Sequence, residues 1–436
     1  MRTHIPLALA AALAACTLLA GSPAPAARKK VAAKSKKKRP AAAPVSPGAR
    51  DAAQRRVDEY LAASAAKPFQ QPGALVPFFE QLLHDKTPVH IIHWGDSHTA
   101  ADEWTGGLRD QFRERFGDGG SGFSLAGHPF AGYRRFDARG GATPGWVSSG
   151  LRTGNGDGWF GLGGIGIDTS RPGQSVFVQV ECDRLEIQFL QQPGGGRVAL
   201  YDYDQRLDDI PTDGELAPGF VRYATEPGPH RFMLKTLDAR PVRLFGWVAD
   251  KPTGVTYEAL GINGAEATLL LKWNESMLGS YVQRRGPALI VLSYGTNEAS
   301  DPLWHHESYR DAFAKVIERL RIAAPAATIL VLGPGDRWSR TRKGWQLVGG
   351  IDDIIAQQQS VCREMGCVYW DARERMGGAG SIRDWQIAGL AQADRVHFTT
   401  PGYRRLAGVL FSDLMHLFLA YKKVRPETTD QVARDR

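Results

Sequence analysis

A serine stands where an apolar segment of this sequence stops and a helical pattern begins. Val89–His93 is mostly apolar and β-branched, and the polar turn GDSH at residues 95–98 follows it. One interpretation of Ser97 is turn and helix-cap chemistry, because Asp and Ser both favour those positions. The other is a catalytic nucleophile. A free serine hydroxyl is scarcely nucleophilic at neutral pH, so this second interpretation requires a base elsewhere in the chain.

The candidate base lies near the other end of the chain, where the sequence ADRVHFTTPG places Asp394 three residues before His397. A turn of that length brings the carboxylate to the far nitrogen of the imidazole, which fixes the tautomer and the orientation of the ring. The chain contains eleven histidines, and the D-x-x-H spacing is common by chance. Together with Ser97, however, the pair predicts a nucleophile, a base and an orienting acid.

Acyl transfer also requires hydrogen-bond donors for the developing oxyanion. Gly264, in the sequence GINGA, has no side chain to keep its backbone N–H away from a substrate. Asn297 follows the apolar segment PALIVLS and offers a side-chain amide, and the backbone N–H of Ser97 is a third donor. We expect these three donors to surround one pocket, because the carboxyl ends of neighbouring parallel strands meet at one edge of a sheet.

Helical and extended patterns alternate around these residues, which predicts an α/β fold with a parallel sheet and right-handed crossovers. Helical periodicity covers residues 51–85, 99–116, a run ending near 283, 307–322, 351–364 and 401–422. Buried strands are predicted at residues 89–93, 255–260, 287–293, 328–332 and 367–370. Ser97, Gly264 and Asn297 each follow one of these strands.

The pattern changes between the first two predicted strands. Residues 119–173 are rich in glycine and aromatic residues and show no clear period. Six short segments with alternating apolar and polar residues follow, at 175–180, 184–190, 196–202, 220–224, 230–237 and 242–250. Six strands without an intervening helix predict a β-sandwich of roughly 80 residues that is inserted into the α/β domain.

The blocks that carry these residues resemble those of the SGNH (GDSL) hydrolase family, in the same order and each at a strand end. The matching positions are Ser97 in the first block, Gly264 in the second, Asn297 in the third, and Asp394 with His397 in the fifth. The sequence around Ser97 is not the G-x-S-x-G elbow of α/β-hydrolases, because no glycine lies two residues after Ser97.

The GDSHTA sequence, the FGDGG segment after it and the inserted β-sandwich also resemble exported peptidoglycan O-acetylesterases of Gram-negative bacteria. The match to the SGNH family covers about residues 85–125 and 255–420. It implies a flavodoxin-like SGNH hydrolase three-layer fold with a parallel sheet, plus an inserted all-β sandwich domain similar to a carbohydrate-binding module. The implied substrate is the 6-O-acetyl group of muramic acid in peptidoglycan, or a related polysaccharide.

The same resemblance implies the role of each residue. Ser97 attacks the acetyl carbonyl while His397 takes its proton, and Asp394 holds the imidazole. The amides of Ser97 and Gly264 and the side chain of Asn297 stabilise the oxyanion, and water then releases acetate. The implied reaction needs no metal and no organic cofactor, and no His/Cys spacing in the sequence suggests zinc.

The N-terminal region has the composition of an export signal followed by a linker. A positive start and an apolar run end at an Ala-x-Ala site, which predicts a signal peptide over residues 1–26. A lipoprotein box at residues 13–16 is the alternative and would make Cys16 the lipidated first residue. Residues 27–50 then form a disordered basic Ala/Lys/Pro linker. We therefore expect an exported, periplasmic protein.

The basic residues of this linker account for the net charge of the chain, which is +8. Residues 28–39 contain eight basic residues and no acid, and subtracting these and Arg2 leaves a net charge of −1. The nearly neutral remainder gives no support to a nucleic-acid-binding face. Membrane contact is expected only through the N-terminus or the basic linker.

These observations predict the following domain organisation. The signal peptide covers 1–26 and the linker 27–50, the hydrolase domain is discontinuous at 51–125 and 255–424, the insert covers 126–254, and a C-terminal tail covers 425–436.

Several polar residues outside the predicted set have structural interpretations. Asp96 is expected to bond loop amides, His93 and His98 to serve as packed or hydrogen-bonded scaffold, and Glu298 to anchor its loop. Cys362 and Cys367 lie where a helix ends and a strand begins. In an oxidising compartment they are either a disulfide or two buried thiols.

Alternative functions share parts of this pattern. An O-acetyltransferase for an exported polysaccharide would use the same triad with a sugar hydroxyl in place of water. A lipase or thioesterase would also keep the triad, but no apolar lid segment favours it. A non-catalytic wall-binding protein would not need the complete set of catalytic residue types.

Overall fold

The computed structural model describes residues 45–83, 87–150, 156–302, 304 and 306–425. The predicted signal peptide with Cys16, most of the predicted linker and all but one residue of the predicted tail lie outside these ranges. Among the helices described, none combines the length and the apolar run that crossing a membrane requires.

The helices, in chain order, are α1 (Pro47–Ala63), α2 (Val76–Leu83), α3 (Ser97–Ala100), α4 (Glu103–Phe116), α5 (Glu275–Arg285), α6 (His306–Ala323), α7 (Gly350–Met365), α8 (Ala372–Arg375), α9 (Ile382–Ile387) and α10 (Thr400–Val424). The strands are β1 (Phe69–Gln70), β2 (Val89–Gly95), β3 (Gly122–Leu125), β4 (Arg139–Ala142), β5 (Val147–Gly150), β6 (Ile165–Thr169), β7 (Ser175–Gln191), β8 (Arg197–Asp202), β9 (Gln205–Pro211), β10 (Ala217–Thr236), β11 (Val242–Asp250), β12 (Val255–Gly261), β13 (Leu289–Ser293), β14 (Thr328–Leu332), β15 (Trp338–Thr341), β16 (Gly344–Leu347) and β17 (Val368–Trp370).

The first sheet has the strand order β12-β2-β13-β14-β17-β1, and every neighbouring pair except β1–β17 is parallel. The parallel strands therefore follow the flavodoxin-like order 2-1-3-4-5. Gly95 at the end of β2 pairs with Gly261 on one side and with Ser293 on the other. The predicted α/β class is thus confirmed. The adjacent strands β12, β2 and β13 all end at the same edge of the sheet.

Two apolar cores cover the two faces of this sheet, because successive side chains of a strand point to opposite faces. Ile91 belongs to a core shared with α1, α2, α4 and α10. Its neighbour Ile92 belongs to a core shared with α5, α6 and α7. The fold therefore has three layers, as predicted.

The predicted helix over 99–116 is wrong in one respect, because the chain turns within it. The short helix α3 ends at Ala100, and Asp102 has a left-handed backbone (φ +55°) before α4 begins. The helical prediction over 51–85 is also wrong in its middle, where α1 ends at Ala63 and strand β1 precedes α2. The later helical predictions agree to within a few residues, and the predicted strand 328–332 matches β14 residue for residue.

The predicted all-β insert is present as a nine-stranded sheet, β3 to β11. Its predicted start at residue 126 is wrong, because β3 (Gly122–Leu125) pairs with β11 and belongs to this sheet. Four of the six predicted segments form only two strands: 175–180 and 184–190 are both in β7, and 220–224 and 230–237 are both in β10. The first half of β7 pairs with β4 and the second half with β11, while β10 runs along both halves. Side chains from both halves share one core, so a single sheet encloses it.

The insert is anchored to the α/β domain by buried polar contacts. Trp94 of β2 donates its indole N–H to the carbonyl oxygen of Leu162 at 3.0 Å. Arg285, at the end of α5, pairs with Asp250 of β11 and with Glu258 of β12. These contacts connect the second sheet to the strands whose ends carry the predicted site.

The described cysteines, Cys182, Cys362 and Cys367, are buried free thiols. Cys362 and Cys367 are therefore two buried thiols in this structure and not a disulfide.

A buried ion pair fixes the turn after α3. Both carboxylate oxygens of Asp102 accept hydrogen bonds from Arg109, at 2.6 and 3.1 Å, and both side chains are almost fully buried. Arg109 also donates Nε–H to the carbonyl oxygen of Tyr257 in β12, and Asp102 accepts from the amide of Phe136. The pair thus ties α4, the sheet and the insert to the residues that follow Ser97.

We predict that Arg109→Met lowers the free energy of unfolding by about 3–5 kcal/mol, because it leaves the buried Asp102 carboxylate unpaired. Arg115→Met, at an exposed position of the same helix, is the matched control and should change it by about 0.5 kcal/mol or less. Urea denaturation of the two variants measures the difference. A loss below about 1 kcal/mol for Arg109→Met would contradict this role of the pair.

Candidate active site

Ser97, His397 and Asp394 form a continuous line of hydrogen bonds at the carboxyl edge of the first sheet. Ser97 Oγ lies 2.8 Å from Nε2 of His397. Nδ1 of His397 lies 2.8 Å from Oδ2 of Asp394. An ionised Asp394 requires the proton on Nδ1, which leaves the lone pair of Nε2 directed at the Ser97 hydroxyl. The arrangement can therefore take a proton from Ser97.

The position of Ser97 follows from the way β2 ends. Asp96 is the N-cap of α3, and its Oδ1 accepts a hydrogen bond from the amide of His98 at 2.9 Å. A Cβ atom at Gly261 would lie 2.1 Å from the backbone nitrogen of Ala100. The first turn of α3 therefore packs directly on the end of β12, at a distance that only glycine permits.

The loop that carries the base is closed on itself. The amide of Gln392 donates to the carbonyl oxygen of His397 at 2.8 Å. Oδ1 of Asp394 accepts from the amides of Val396 and His397, both at 3.0 Å. One oxygen of Asp394 thus holds the loop backbone while the other holds the imidazole.

The acid and the base lie at the protein surface, with side-chain exposures of 46% for Asp394 and 33% for His397. Partial burial acts to raise the pKa of Asp394, but the hydrogen bonds from the His397 side chain and from the two loop amides outweigh it and lower the pKa below its usual range. Asp394 therefore stays ionised and able to orient the imidazole at neutral pH.

The backbone amides of Ser97 and Gly264 donate to no other residue in the described part of the chain. Gly264 is the third residue of a turn that is closed by the amide of Ala265 and the carbonyl oxygen of Ile262 at 3.0 Å, and its φ is +70°. That conformation favours glycine and presents the N–H of the turn outward. Two of the predicted oxyanion donors are thus available to a ligand.

Asn297, the third predicted donor, lies between the same elements. Its Nδ2 is 2.8 Å from the carbonyl oxygen of Ala265 and 3.4 Å from Oδ2 of Asp96. The first hydrogen bond holds the side chain against the turn that carries Gly264. The second contact is long for a hydrogen bond, so one N–H of the amide is only weakly engaged. The structure therefore brings all five predicted site residues to one edge of the sheet.

Two buried carboxyl groups lie beside these donors. Burial raises the pKa of Asp96 to about 6, although the amide of His98 and the nearby His397 act to lower it. Burial likewise raises the pKa of Glu298 to about 8. Glu298 accepts from the amides of Ala267 at 2.8 Å and Gly295 at 2.9 Å, so it links the loops that follow β12 and β13.

The other two histidines near Ser97 are part of the scaffold. Burial lowers the pKa of both His93 and His98 to about 3, so both rings are neutral at physiological pH. His98 is hydrogen-bonded to the hydroxyl of Tyr403 at 2.8 Å and lies beside the ring of His397, with centroids 5.1 Å apart. His93 is hydrogen-bonded to the hydroxyl of Tyr257 at 3.0 Å.

The sequence interpretation missed a hairpin, β15–β16, which borders this site. Arg337 precedes the hairpin and donates to the carbonyl oxygen of Thr296, the residue before Asn297. The guanidinium of Arg395, inside the base loop, lies over the rings of Trp338 and Trp345. The alternating Trp and Arg residues around Gly344, in the sequence RWSRTRKGW, are the signal from which the hairpin could have been predicted.

The described side chains contain no group of three or more His, Cys, Asp or Glu residues that could hold a metal ion.

The raised pKa of Asp96 predicts how the stability of the protein changes with pH. Because its folded-state pKa of about 6 is above the ordinary value of 3.8, the folded protein binds this proton more tightly than the unfolded chain. The free energy of unfolding should therefore fall by about 2 kcal/mol from this group as the pH rises from 4 to 6. Asp96→Asn removes that contribution, and urea denaturation of both proteins across this range measures it.

Asp394→Asn is the control, because the contribution of Asp394 to the free energy of unfolding changes with pH in the opposite direction. The pKa of Asp394 is lowered in the folded state, so its contribution to stability is present above the ordinary pKa and is lost as the pH falls below it. A wild type and an Asp96→Asn variant whose stabilities run parallel between pH 4 and 6 would contradict the prediction for Asp96.

Residues 229–405 match the model of the GDSL-like Lipase/Acylhydrolase family. The match includes Gly264, Asn297, Asp394 and His397, and it begins after Ser97 and most of the insert. None of the curated proteins matches this sequence significantly.

Among solved structures, this chain is similar to a peptidoglycan O-acetylesterase. The two share 26% identity with a TM-score of 0.67, and the match covers 79% of this chain and 96% of the other. Two family two carbohydrate esterases are more distant. The one from Cellvibrio japonicus has 12% identity, a TM-score of 0.27, and coverage of 64% of this chain and 98% of the other. The one from Clostridium thermocellum has 12% identity, a TM-score of 0.30, and coverage of 62% and 98%.

The family match covers the residues around the base and the oxyanion donors, and the structure places Ser97 against that base. This chain therefore carries a GDSL-like lipase/acylhydrolase domain and is a carboxylic ester hydrolase of the SGNH type.

Proposed function

We propose that this protein is an exported serine esterase that removes O-acetyl groups from a cell-wall carbohydrate, with peptidoglycan as the expected polymer. The observation that carries the proposal is the Ser97–His397–Asp394 line of hydrogen bonds, 2.8 Å at each step, beside backbone amides that lack a partner among the described residues. The similarity to a peptidoglycan O-acetylesterase over 79% of this chain supports the choice of polymer.

The first half of the reaction forms an acetyl-serine. Ser97 Oγ attacks the acetyl carbonyl carbon as its proton passes to Nε2 of His397. The imidazolium that forms is stabilised by Asp394 through Nδ1. Negative charge develops on the carbonyl oxygen, and the amides of Ser97 and Gly264 donate to it. Collapse of the tetrahedral intermediate breaks the bond to the sugar oxygen, which leaves with the proton from His397.

The second half repeats these steps with water. His397, now neutral, takes a proton from a water molecule as that water attacks the acetyl carbonyl. The same amides stabilise the second oxyanion. Collapse breaks the bond to Ser97 Oγ, which recovers its proton from His397, and acetate is released. No proton is left over at the end of the cycle.

The exposure of the site suits a polymeric substrate. Asp394 and His397 lie at the surface, and Ser97 is only partly buried. An acetyl group that projects from a glycan chain can therefore reach Ser97 while the chain itself remains outside. This openness supports an acetyl ester on a large carrier over a long acyl chain, which would need a deeper apolar cavity.

Export is the part of the proposal that rests on sequence. The predicted signal peptide and the basic linker would place the enzyme outside the cytoplasm, and the linker charge is suited to an anionic wall polymer or lipid surface. Fractionation of cells that produce the full chain tests this part directly. Recovery of the protein in the cytoplasm with its N-terminus intact would overturn it.

We predict that Ser97→Ala lowers kcat by about 10⁴-fold or more on both O-acetylated peptidoglycan and an aryl acetate, because no other group at the site can form the acyl-enzyme. Released acetate and the aryl alcohol are the measured products. Ser280→Ala, at an exposed position of α5, is the matched control and should keep wild-type activity.

The outcome with each substrate decides between functions. Wild-type turnover of both esters that Ser97→Ala abolishes would support the esterase. Turnover of the aryl ester alone, accelerated by an added oligosaccharide acceptor, would indicate acetyl transfer. No turnover of either ester by wild type would sink the proposal.

We also predict that Asn297→Ala lowers kcat by about 10²-fold to 10³-fold, the usual cost of removing one oxyanion donor. The Michaelis constant for an aryl acetate should change much less, since the donor acts on charge that develops in the transition state. A kcat within about twofold of wild type would show that the two backbone amides suffice and that Asn297 only holds the turn at Gly264.

A further inference from the structure

The hairpin β15–β16 presents one face to the base loop. In its register Trp338 is paired with Leu347, and Arg340 with Trp345, so these four side chains share a face. Trp338 and Trp345 are half-buried. The rest of the hairpin turn, including Arg342 and Lys343, is exposed.

Arg395 fills the space between the two indole rings. Its guanidinium carbon lies 4.9 Å from the ring centre of Trp338 and 4.6 Å from that of Trp345. Its Nε donates to Oε1 of Gln386 in α9 at 2.8 Å, and its carbonyl oxygen accepts from the amide of Trp338 at 3.1 Å. Both the side chain and the backbone of this residue are therefore attached to the hairpin or to α9.

Arg395 lies between the acid and the base in the sequence, so its contacts also restrain Asp394 and His397. It follows Asp394 directly and precedes His397 by two residues. Its backbone is left-handed (φ +54°), a conformation that costs energy for a residue with a side chain. On one side of His397 the loop is anchored by Phe398, which is buried against Trp385 and Tyr403. On the other side the loop is exposed at Asp394, and Arg395 supplies its contacts to the hairpin and α9.

The same hairpin also contacts the oxyanion side of the site. Arg337, one residue before β15, donates to the carbonyl oxygen of Thr296, which precedes Asn297. The hairpin thus connects the loop that carries the base to the loop that carries an oxyanion donor. The two loops follow different strands and come from positions about one hundred residues apart.

We propose that Arg395, held between Trp338 and Trp345, is a positioning residue that fixes the loop carrying Asp394 and His397 against Ser97. This inference rests on the proposed function of the Ser97 site. The physical reason is that a proton acceptor works only within hydrogen-bond reach of the nucleophile, and a displacement of about 1 Å at such a site can cost about 100-fold in rate. Arg395 contacts neither the substrate nor the reacting atoms, and it acts through the loop.

The test compares steady-state kinetics on an aryl acetate, a substrate too small to need the hairpin for binding. Arg395→Ala and Trp345→Ala should each lower kcat by about tenfold or more, with the Michaelis constant changed by less than about twofold. Trp345→Phe keeps an aromatic face for the guanidinium and should recover most of the rate. Arg342→Ala, an exposed arginine of the same hairpin turn, is the matched control and should behave as wild type.

Three results would overturn the inference. The first is an unchanged kcat for Arg395→Ala. The second is a raised Michaelis constant with an unchanged kcat for Trp345→Ala, which would make Trp345 a substrate contact. The third is a Trp345→Phe variant as slow as Trp345→Ala. If Arg395→Ala does not fold, as judged by its thermal unfolding transition, the two Trp345 variants decide.

Failure of the proposed function is distinguishable from failure of this inference. If wild type does not hydrolyse the ester, the rate at which a fluorophosphonate labels Ser97 replaces kcat, since that reaction needs the same contact between Ser97 and His397. Slower labelling of Arg395→Ala than of wild type would support the positioning role, and equal labelling would overturn it.

Discussion

The hydrogen bond between Ser97 Oγ and Nε2 of His397 joins residues three hundred positions apart, and most of the fold serves to hold that distance at 2.8 Å. One partner is fixed where β2 gives way to α3, by the cap from Asp96 and by the close approach of α3 to Gly261. The other is fixed in a surface loop just before α10. Because these two positions belong to different elements, the bond depends on tertiary packing, including that of α10 in the core beside the first sheet, and not on local sequence.

Burial shifts the titration of the groups around this bond. It raises the pKa of Glu298, which lies next to Asn297 and links the two oxyanion loops, to about 8. This shift disfavours an ionised carboxylate, whose charge would oppose that of a nearby oxyanion. His98 is neutral beside His397 and adds no positive charge that would compete for Asp394. Burial thus favours the neutral forms of Glu298 and His98, whereas Asp96, with a pKa of about 6, still favours its ionised form at neutral pH.

The sequence was sufficient to predict the parallel sheet and the meeting of five residues at its edge. Strands such as 328–332 are continuous apolar runs, and their period and length leave little choice of structure. The backbone break at Asp102 could not be predicted in this way, and the hairpin has only a weaker local signal, the Trp and Arg residues around Gly344. The break at Asp102 arises from a buried partner, Arg109, and a tertiary contact of this kind overrides the helical pattern of residues 99–116.

The insert shows a different limit. The period-two pattern located its strands but divided β7 and β10 into two segments each. The pairing of β10 with β7 is irregular between Ala224 and Gly228, and the alternation is interrupted there. β9 and the strands before residue 170 carry glycine or polar residues at positions that a regular strand would fill with apolar ones. Their structure follows from pairing with β5–β8 and β11, and such pairing is decided by neighbours far along the chain.

The insert can interrupt the domain between Ser97 and Gly264 because its two ends meet. Asp118 forms a parallel bridge with Val255, the amide of Gly119 donates to the carbonyl oxygen of Val255 at 3.1 Å, and the amide of Val255 donates to the carbonyl oxygen of Gly117 at 2.9 Å. The chain therefore leaves the α/β domain and returns to it at hydrogen-bonded neighbours, as a tolerated domain insertion requires. From this junction β12 pairs with β2 without a register shift as far as Gly261, which pairs with Gly95. For this reason a family match that begins at residue 229 and a serine at residue 97 belong to one site.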